Sequence, residues 1–248
     1  METAPRGFVL YRGKSCISKQ PIVAIAVLRS SNVKTGNMIQ VYILPEDISP
    51  LAALKANDNS GSCGNCPLQG NFDDSLGKMV DRVCYVNVGQ APEMIWKTWK
   101  NGKYPRYLPK EHDHLILGRT VRWGAYGDPA ALPLRLIRRI SDLAKGWTGY
   151  SHQLLWIDRR RADVLAEYLM CSVDNPAQWA EAKRRNYRSF VVVQEGFQPS
   201  NAVQCPHYSH GVKCEDCRLC DGQATGAKDV YVIAHGKVGN NLKPWETS

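Results

Sequence analysis

The stretch RTVRWGAYGDPAALPLRLIRRISDLA (residues 119–144) decides the fold. Residues 119–126 carry β-branched and aromatic side chains and predict a strand. Asp128 and Pro129 follow as a helix cap and a first helical residue. The residues after them place apolar side chains on one helical face and arginines on the other, which predicts an amphipathic helix.

The same order of strand, turn and helix recurs along the chain. Residues 168–173 predict another strand, and Asn175 and Pro176 repeat the pair of cap and first helical residue. Further predicted strands cover residues 22–28, 38–44, 83–88, 147–152, 189–194, 202–205 and 230–235, and a further helix covers residues 92–100. Strands that alternate with helices predict a parallel sheet. Because the chain has no glycine-rich nucleotide fingerprint, we expect an α/β fold with a complete or partial β/α (TIM-like) barrel.

We expect one domain over residues 1–248. Residues 1–78 supply N-terminal strands and a cysteine-containing loop over residues 51–72, whose length indicates function or metal ordering. Residues 79–236 supply the β/α units, and residues 205–222 form a C-terminal cysteine loop.

Polar and aromatic residues follow the predicted strands, where a barrel builds its sites. They are Tyr85, Asn87, Tyr126, Gly127, Asp128, Tyr150, Ser151, His152, Asp174, Asn175, Glu195, Cys205 and His235. Each alone fits a helix cap or a hydrogen-bonded core group, and capping alone explains Asp128 and Asn175. Their recurrence indicates a site, in which Tyr126, Asp128 and His152 are the candidate catalytic residues.

The net charge of +9, from 32 Lys and Arg against 23 Asp and Glu, favours a polyanionic partner such as nucleic acid. Basic clusters at residues 159–161 and 183–185 fit such a partner, or else they are solvated helix faces. The longest apolar run, residues 22–28, is too short to span a membrane, and residues 1–13 lack a signal-peptide pattern. We therefore expect a soluble, cytoplasmic protein with no membrane partner.

Residues 94–110 interleave basic and aromatic side chains. Trp96, Trp99, Tyr104 and Tyr107 are candidates to stack on unpaired bases. The spacing of three residues between the two tryptophans fits a stripe of a hydrophobic core equally well.

Four cysteines lie in CPHYSHGVKCEDCRLC (residues 205–220), namely Cys205, Cys214, Cys217 and Cys220. In a reducing compartment, an odd total of nine cysteines favours metal chemistry over a disulfide framework. The C-x-x-C-x-x-C spacing lets tight turns aim thiolates at one ion, and the remote Cys-Pro pair is typical of a ferredoxin run. An iron–sulfur cluster and zinc are both open interpretations.

A second group contains Cys63 and Cys66, in C-G-N-C, and Cys84 after a further seventeen residues. Three thiolates can hold a 4Fe-4S cluster with an open iron, a zinc ion with an open position, or a metal with a remote fourth ligand. A single site that uses both groups is also open. We expect Cys171 to be a small buried residue and Cys16 to be an unligated thiol.

Several motifs together resemble an uncharacterised, mainly phage-encoded cysteine-rich family of the gene product eighty-eight type. They are NVKTG (residues 32–36), CGNCP (63–67), CYVN (84–87), RWGAYGDP (122–129) and a terminal CP followed by CEDCRLCDG (205–206 and 214–222). The resemblance covers roughly residues 20–236 and implies a phage protein, but it implies no function.

More distantly, the arrangement is similar to radical SAM enzymes. Those enzymes have a partial or full β/α barrel, cluster cysteines at the end of the first strand, and a G-G-E-P-like segment after the second. In this chain Cys84 lies at the predicted first barrel strand and residues 124–129 follow the second, although C-x-x-C-x17-C replaces the usual C-x-x-x-C-x-x-C.

This similarity implies a cofactor and a cosubstrate. A 4Fe-4S cluster on Cys63, Cys66 and Cys84 would cleave the C–S bond of S-adenosylmethionine to give a carbon radical. The implied cosubstrate contacts are Gly124, Tyr126, Gly127 and Asp128. The C-terminal cysteines would then hold an auxiliary cluster or a structural metal.

Four functions fit these features. The first is a radical SAM-like iron–sulfur enzyme, and the second is a non-catalytic nucleic-acid-binding protein stabilised by zinc or a cluster. The third is an enzyme that modifies a nucleic acid or a nucleotide, and the fourth is a structural metalloprotein whose ions brace long loops. The identity of the metal divides them, and the sequence predicts neither the substrate nor the oligomeric state.

Overall fold

A computed structural model describes residues 5–223, 226–234 and 242 of the chain. The strands are β1 (Gly7–Lys14), β2 (Pro21–Val27), β3 (Ile39–Pro45), β4 (Asn71–Asp73), β5 (Lys78–Val80), β6 (Thr120–Tyr126), β7 (Gly146–Thr148), β8 (Tyr150–Ser151), β9 (Met170–Val173), β10 (Ser189–Val193), β11 (Ala202–Gln204) and β12 (Asp229–Ile233). The helices are α1 (Pro50–Lys55), α2 (Ser60–Cys63), α3 (Ala91–Lys100), α4 (Pro109–His112), α5 (Leu134–Leu143), α6 (Arg159–Ala166), α7 (Pro176–Arg184), α8 (Pro206–His210) and α9 (Cys214–Cys217). Single 3-10 turns cover Pro67–Gln69, Asp113–Leu115 and Pro129–Ala131.

Two five-stranded sheets form the centre of the described chain and meet at Gly149. Their strand orders are β1-β2-β3-β6-β7 and β11-β12-β10-β9-β8, and a separate hairpin pairs β4 with β5. Only β1 with β2 and β2 with β3 are antiparallel within the two larger sheets. No closed barrel is formed by the strands of the described residues. The fold is therefore mixed α/β, which confirms the predicted class at that level.

Gly149 separates β7 from β8. Its amide donates a hydrogen bond to the Cys220 carbonyl at 2.7 Å, and its own carbonyl accepts one from the Met170 amide at 3.0 Å. A Cβ atom at this position would approach Leu169 and Trp123 to under 3 Å. Glycine is therefore required here, where the C-terminal cysteine segment inserts a carbonyl between the two sheets.

Strand side chains alternate between two faces of the sheets. Ile43 belongs to the larger apolar cluster, together with Ile137 of α5 and Leu165 of α6, whereas Leu44 packs on the opposite face with Ile95 of α3. This alternation follows from the period of two in a strand. Full burial of each such side chain stabilises the fold by about 1.5–3 kcal/mol. None of the helices in the described part is both long and apolar enough to span a lipid bilayer.

The two predicted cap residues occupy cap positions. The Asp128 side chain accepts a hydrogen bond from the Ala130 amide, and the Asn175 side chain accepts one from the Gln178 amide, both at 2.9 Å. Asn175 caps α7 as expected. Asp128 instead caps the 3-10 turn Pro129–Ala131, since α5 begins only at Leu134.

The prediction of a strand over residues 83–88 is wrong. The amides of Val83 and Cys84 both donate to the Leu68 carbonyl, so this segment attaches to the first cysteine loop and has no strand partner. The β-rich composition of the segment favours a strand locally, but tertiary contacts override it. Cys84 therefore does not lie at a first barrel strand. The expected loop over residues 51–72 also contains short helices, and His235 lies outside the described residues.

Arg188 clamps the C-terminal cysteine segment onto the sheet. Its Nη1 donates to the Asp221 carboxylate at 2.7 Å, and its Nη2 donates to the carbonyls of Leu219 at 2.7 Å and Lys228 at 2.9 Å. Both charged side chains of the Arg188–Asp221 pair are only 7% exposed. Because a buried pair strongly destabilises the fold when one partner is removed, this clamp fixes the segment in place.

We expect Arg188→Met to lower the free energy of unfolding by about 3 kcal/mol or more, because it removes one member of the buried Arg188–Asp221 pair. Urea unfolding followed by circular dichroism measures this loss. Arg160→Met removes an exposed arginine and should change stability by less than about 0.5 kcal/mol. Equal stability of the two variants would contradict the clamp.

Candidate metal centre

One cavity gathers the predicted site residues from distant parts of the chain. Its volume is about 120 Å³, which is room for several water molecules. It is lined by Cys63, Cys66, Cys84, Gly124, Tyr126, Gly127, Asp128 and His152. The three N-terminal thiols and all the residues predicted for catalysis or cosubstrate binding thus border the same space.

The N-terminal thiol group, Cys63, Cys66 and Cys84, is assembled by short loops. Cys63 ends α2, and its Sγ accepts a hydrogen bond from Asn59 Nδ2 at 3.1 Å. The Cys66 amide donates to the Cys63 carbonyl at 3.3 Å, and the Cys84 amide donates to the Leu68 carbonyl at 2.7 Å. The loop of the C-G-N-C motif therefore positions all three cysteines.

These thiols are buried close enough to influence one another. Burial raises the pKa of Cys63 well above its ordinary value, and the neighbouring Cys66 and Cys84 raise it further. Burial also raises the pKa of Cys84, against the opposing charge of Arg82. Without a cation, the folded chain thus holds Cys63 and Cys84 as neutral thiols, and a bound metal would displace their protons.

Asp128 joins three elements at the edge of the cavity. Its carboxylate accepts hydrogen bonds from the Ala130 and His152 amides, both at 2.9 Å, and its own amide donates to the Ser62 carbonyl at 2.7 Å. These contacts tie the end of β6 to the end of β8 and to α2. Because backbone amides already occupy both carboxylate oxygens, Asp128 positions the site.

His152 lies between a carboxylate and a thiol. Its Nδ1 is 3.3 Å from Asp174 Oδ2, and its side chain also hydrogen-bonds Cys66. Burial opposes protonation of the imidazole, but Cys66 and Asp174 outweigh burial and raise the pKa of His152 well above its ordinary value. An imidazole oriented by a carboxylate is the arrangement used by metal-ligating histidines and by general acids.

Two hydroxyls border the cavity without satisfied hydrogen bonds. The Tyr126 hydroxyl faces Asn59 without a well-formed hydrogen bond, and the Ser172 hydroxyl has no partner within the described residues. Both are buried. Buried polar groups normally have partners, so these two are available to a ligand or to water.

The C-terminal thiol group, Cys205, Cys214, Cys217 and Cys220, packs beside the same cavity. Burial raises the pKa of Cys220 well above its ordinary value, and the neighbouring Cys205 and Cys214 raise it further. Cys220 and Cys205 also join an apolar cluster with Phe190 of β10. The four cysteines predicted as one ligand set therefore lie near one another.

The first thiol group and Cys220 of the second group lie at different ends of the strands. Asp128 and His152, beside the first group, follow β6 and β8 at their carboxyl ends. In the second group, Cys220 lies at the amino ends, where Arg218 Nη1 donates to the Lys145 carbonyl at 3.2 Å and Arg188 binds Asp221 after Cys220, whereas Cys205 directly follows β11. This separation favours two sites over one shared site.

All nine cysteines are free thiols in the structure. Within the described residues, no three His, Cys, Asp or Glu side chains have the geometry of a metal site. The donors fit zinc or an iron–sulfur cluster chemically, but their loops would have to close around the metal. Cys171 is fully buried, as predicted, and Cys16 lies outside both groups.

The aromatic side chains predicted to stack on bases are packed into the protein. Trp96, Trp99 and Tyr104 lie against the apolar cluster of α3, and Tyr107 is buried in the larger cluster. The Trp96 Nε1 donates to the Pro45 carbonyl at 2.9 Å. The tryptophan spacing therefore reflects a core stripe.

The basic clusters are largely neutralised by nearby carboxylates. Arg159 pairs with Asp163, and Lys183 pairs with Asp229. Arg184 and Arg185 both pair with Glu181. These contacts leave fewer free charges for a polyanion than the sequence indicates.

Sequence reasoning overlooked two cationic residues near the cavity, Lys34 and Arg122. Arg122 donates to the Tyr150 hydroxyl at 2.9 Å and to the Tyr85 hydroxyl at 3.3 Å. The available signal was an arginine inside the apolar strand TVRWGAY, which has to be buried whichever face it occupies.

Comparison of the chain with family models, with curated proteins and with solved structures found no match.

We expect iodoacetamide to alkylate Cys63, Cys84 and Cys220 of chelator-treated protein more slowly than Cys16 at mildly alkaline pH. Burial and raised pKa values keep these three thiols protonated, and only the thiolate reacts. Peptide mass spectrometry over time measures the order. In denaturant the nine cysteines should react at similar rates, and early alkylation of the native Cys63 would contradict its placement.

Proposed function

We propose that the chain is an iron–sulfur enzyme that resembles radical SAM enzymes. Its reactive centre is held by Cys63, Cys66 and Cys84. One observation carries this proposal: these thiols line the same cavity as the predicted cosubstrate residues, which are distant from them in sequence. Those residues are Gly124, Tyr126, Gly127 and Asp128. Thiolates that face a cavity can bind a metal and leave it open to a ligand.

The proposed roles follow from the contacts of each residue. Cys63, Cys66 and Cys84 would hold a cluster that, when bound, would supply one-electron chemistry and an iron position open to a cosubstrate. Asp174 orients His152 beside Cys66, so the imidazole can hold a proton or complete the ligand set. The buried hydroxyls of Tyr126 and Ser172 supply hydrogen bonds to the cosubstrate, and Gly124 and Gly127 also line the cavity.

A partial β/α barrel is the architecture proposed for this function. The two sheets are interrupted only at Gly149, and from β3 onward all neighbouring strands are parallel. Helices α5, α6 and α7 cover one face, while the cavity lies on the other. Sites at the carboxyl ends of parallel strands are typical of such barrels.

The C-terminal thiol group is proposed to be a closed four-thiolate site. Its cysteines come from the N-cap of α8, from α9 and from the segment held by Arg188, so one ion would link three parts of the chain. A structural metal contributes on the order of 10 kcal/mol to folding. Nine unpaired thiols fit a reducing compartment, so we also propose a cytoplasmic location.

Metal analysis of anaerobically purified protein tests the proposal. We expect a brown protein that contains iron and inorganic sulfide. Cys84→Ser should stay folded and lose the metal of the N-terminal site, because only two thiolates of that group remain. Cys217→Ser should lower the melting temperature, because it removes a ligand of the proposed structural metal in the C-terminal thiol group.

Cys16→Ser is the matched control, since Cys16 belongs to neither thiol group. It should keep both the metal content and the melting temperature. A colourless protein with stoichiometric zinc at both sites would end the iron–sulfur proposal. Unchanged metal content in Cys84→Ser and in Cys217→Ser would contradict both sites.

A further inference from the structure

Lys34 brings a positive charge to the cavity without an acidic partner. Its Nζ donates to the Tyr208 hydroxyl at 3.2 Å and lies 4.3 Å from the centroid of the Tyr208 ring. Both residues line the cavity. No carboxylate of the described chain pairs with this ammonium; the groups that raise its pKa, against burial, are phenols and the Cys205 thiol.

The backbone fixes the position of Lys34. The Cys214 amide donates to the Lys34 carbonyl at 2.9 Å, and the Asn37 amide donates to Glu215 Oε2 at 2.8 Å. These bonds attach the loop before β3 to the C-terminal cysteine segment. Lys34 therefore belongs to a built site and is not a mobile surface lysine.

A second cation lies behind the cavity wall. Arg122 is only 9% exposed and donates to the hydroxyls of Tyr85 and Tyr150, which line the cavity and are 2.7 Å apart. As for Lys34, no carboxylate of the described residues neutralises it. A buried charge is costly unless it is paired, so this end of the cavity favours an anion.

The walls between the two ends of the cavity are apolar. Phe190, Val192 and Val232 line it, and the Phe190 ring stacks on Tyr150 with centroids 4.2 Å apart. Lys34 precedes the amino end of β3, whereas Cys63, Cys66 and His152 lie near carboxyl ends of strands. The cavity thus has a cationic end, an apolar middle and a thiol end.

We propose that this cavity binds a small organic anion whose carboxylate or phosphate group pairs with Lys34 and whose apolar body lies against Phe190 and Val192. The anionic group anchors the molecule, so its far end meets the N-terminal thiol group. The identification of this anion as a substrate rests on the proposed function, whereas its binding does not.

The opposing interpretation is that Lys34 and Arg122 only offset the charge of the C-terminal thiolates, since Cys214 interacts with both. In that case Lys34→Gln would weaken metal retention and leave anion binding unchanged. Under our proposal Lys34→Gln weakens anion binding in the metal-free protein as well.

Calorimetric titration of phenylphosphate, phenylacetate and benzyl alcohol into purified protein, with and without chelator, tests the proposal. At least one of the two anions should bind. Comparison of the affinities for phenylphosphate and phenylacetate shows whether the site prefers a phosphate or a carboxylate group. Lys34→Gln should lower the affinity for that anion by about 10- to 100-fold, as expected for a lost hydrogen bond to a charged group. Lys34→Arg should restore part of the affinity. The affinity for benzyl alcohol, which carries no charge, should be the same in the unchanged protein and in Lys34→Gln.

Lys103→Gln is the matched control, because Lys103 is exposed and does not line the cavity. It should bind like the unchanged protein. Equal anion affinity of Lys34→Gln and the unchanged protein, or no binding of either anion, would overturn the proposal. If the protein contains zinc and anion binding depends on Lys34, the anion-site proposal stands and the iron–sulfur proposal is rejected. If the protein contains an iron–sulfur cluster and anion binding does not depend on Lys34, the iron–sulfur proposal stands and the anion-site proposal is rejected.

Discussion

The hydrogen bond from the Gly149 amide to the Cys220 carbonyl links the two halves of the sheet to the cysteine chemistry. It takes the place of a ladder bond between strands, and only glycine fits so close to Trp123 and Leu169. The buried Arg188 then fixes the segment on the far side of Cys220. The cationic end of the cavity depends on this insertion, because the inserted segment also carries the partners of the Lys34 loop.

Charge imbalance distinguishes the two ends of the cavity. At one end, burial and neighbouring thiols raise the pKa values of Cys63 and Cys84, and a bound cation would reverse this shift. At the other end, Lys34 and Arg122 are cations whose neighbours are phenols and thiols, without a carboxylate in the described chain. A bound metal would balance the charge of the thiolates at the first end, and a bound anion would balance the two cations at the second. The apolar walls of the cavity lie between these two charged ends.

Local patterns predicted the elements that carry their own signals. Helix α7 with its Asn175 cap follows from capping, and strand β3 follows from its β-rich apolar run. The segment at residues 83–88 could not be predicted, because its partner is a loop carbonyl and not a strand. The thiols could be assigned to groups from their spacing. Lys34 could not be assigned, since its role arises from a contact with Cys214 that is distant in sequence.

The different surroundings of the two thiol groups argue for different roles. Cys205 and Cys220 of the C-terminal group pack in one apolar cluster with Phe190 and Val230, and Arg188 holds the segment that carries Cys220, so a metal there would have little room for another ligand. The N-terminal cysteines border a cavity that also exposes unsatisfied hydroxyls. Because the C-terminal group also holds the Lys34 loop through Cys214 and Glu215, a metal in the closed site would order the anion end of the cavity. The two proposed metal sites would then act together. The metal of the C-terminal thiol group would shape the cavity, and the metal of the N-terminal thiol group would provide its chemistry.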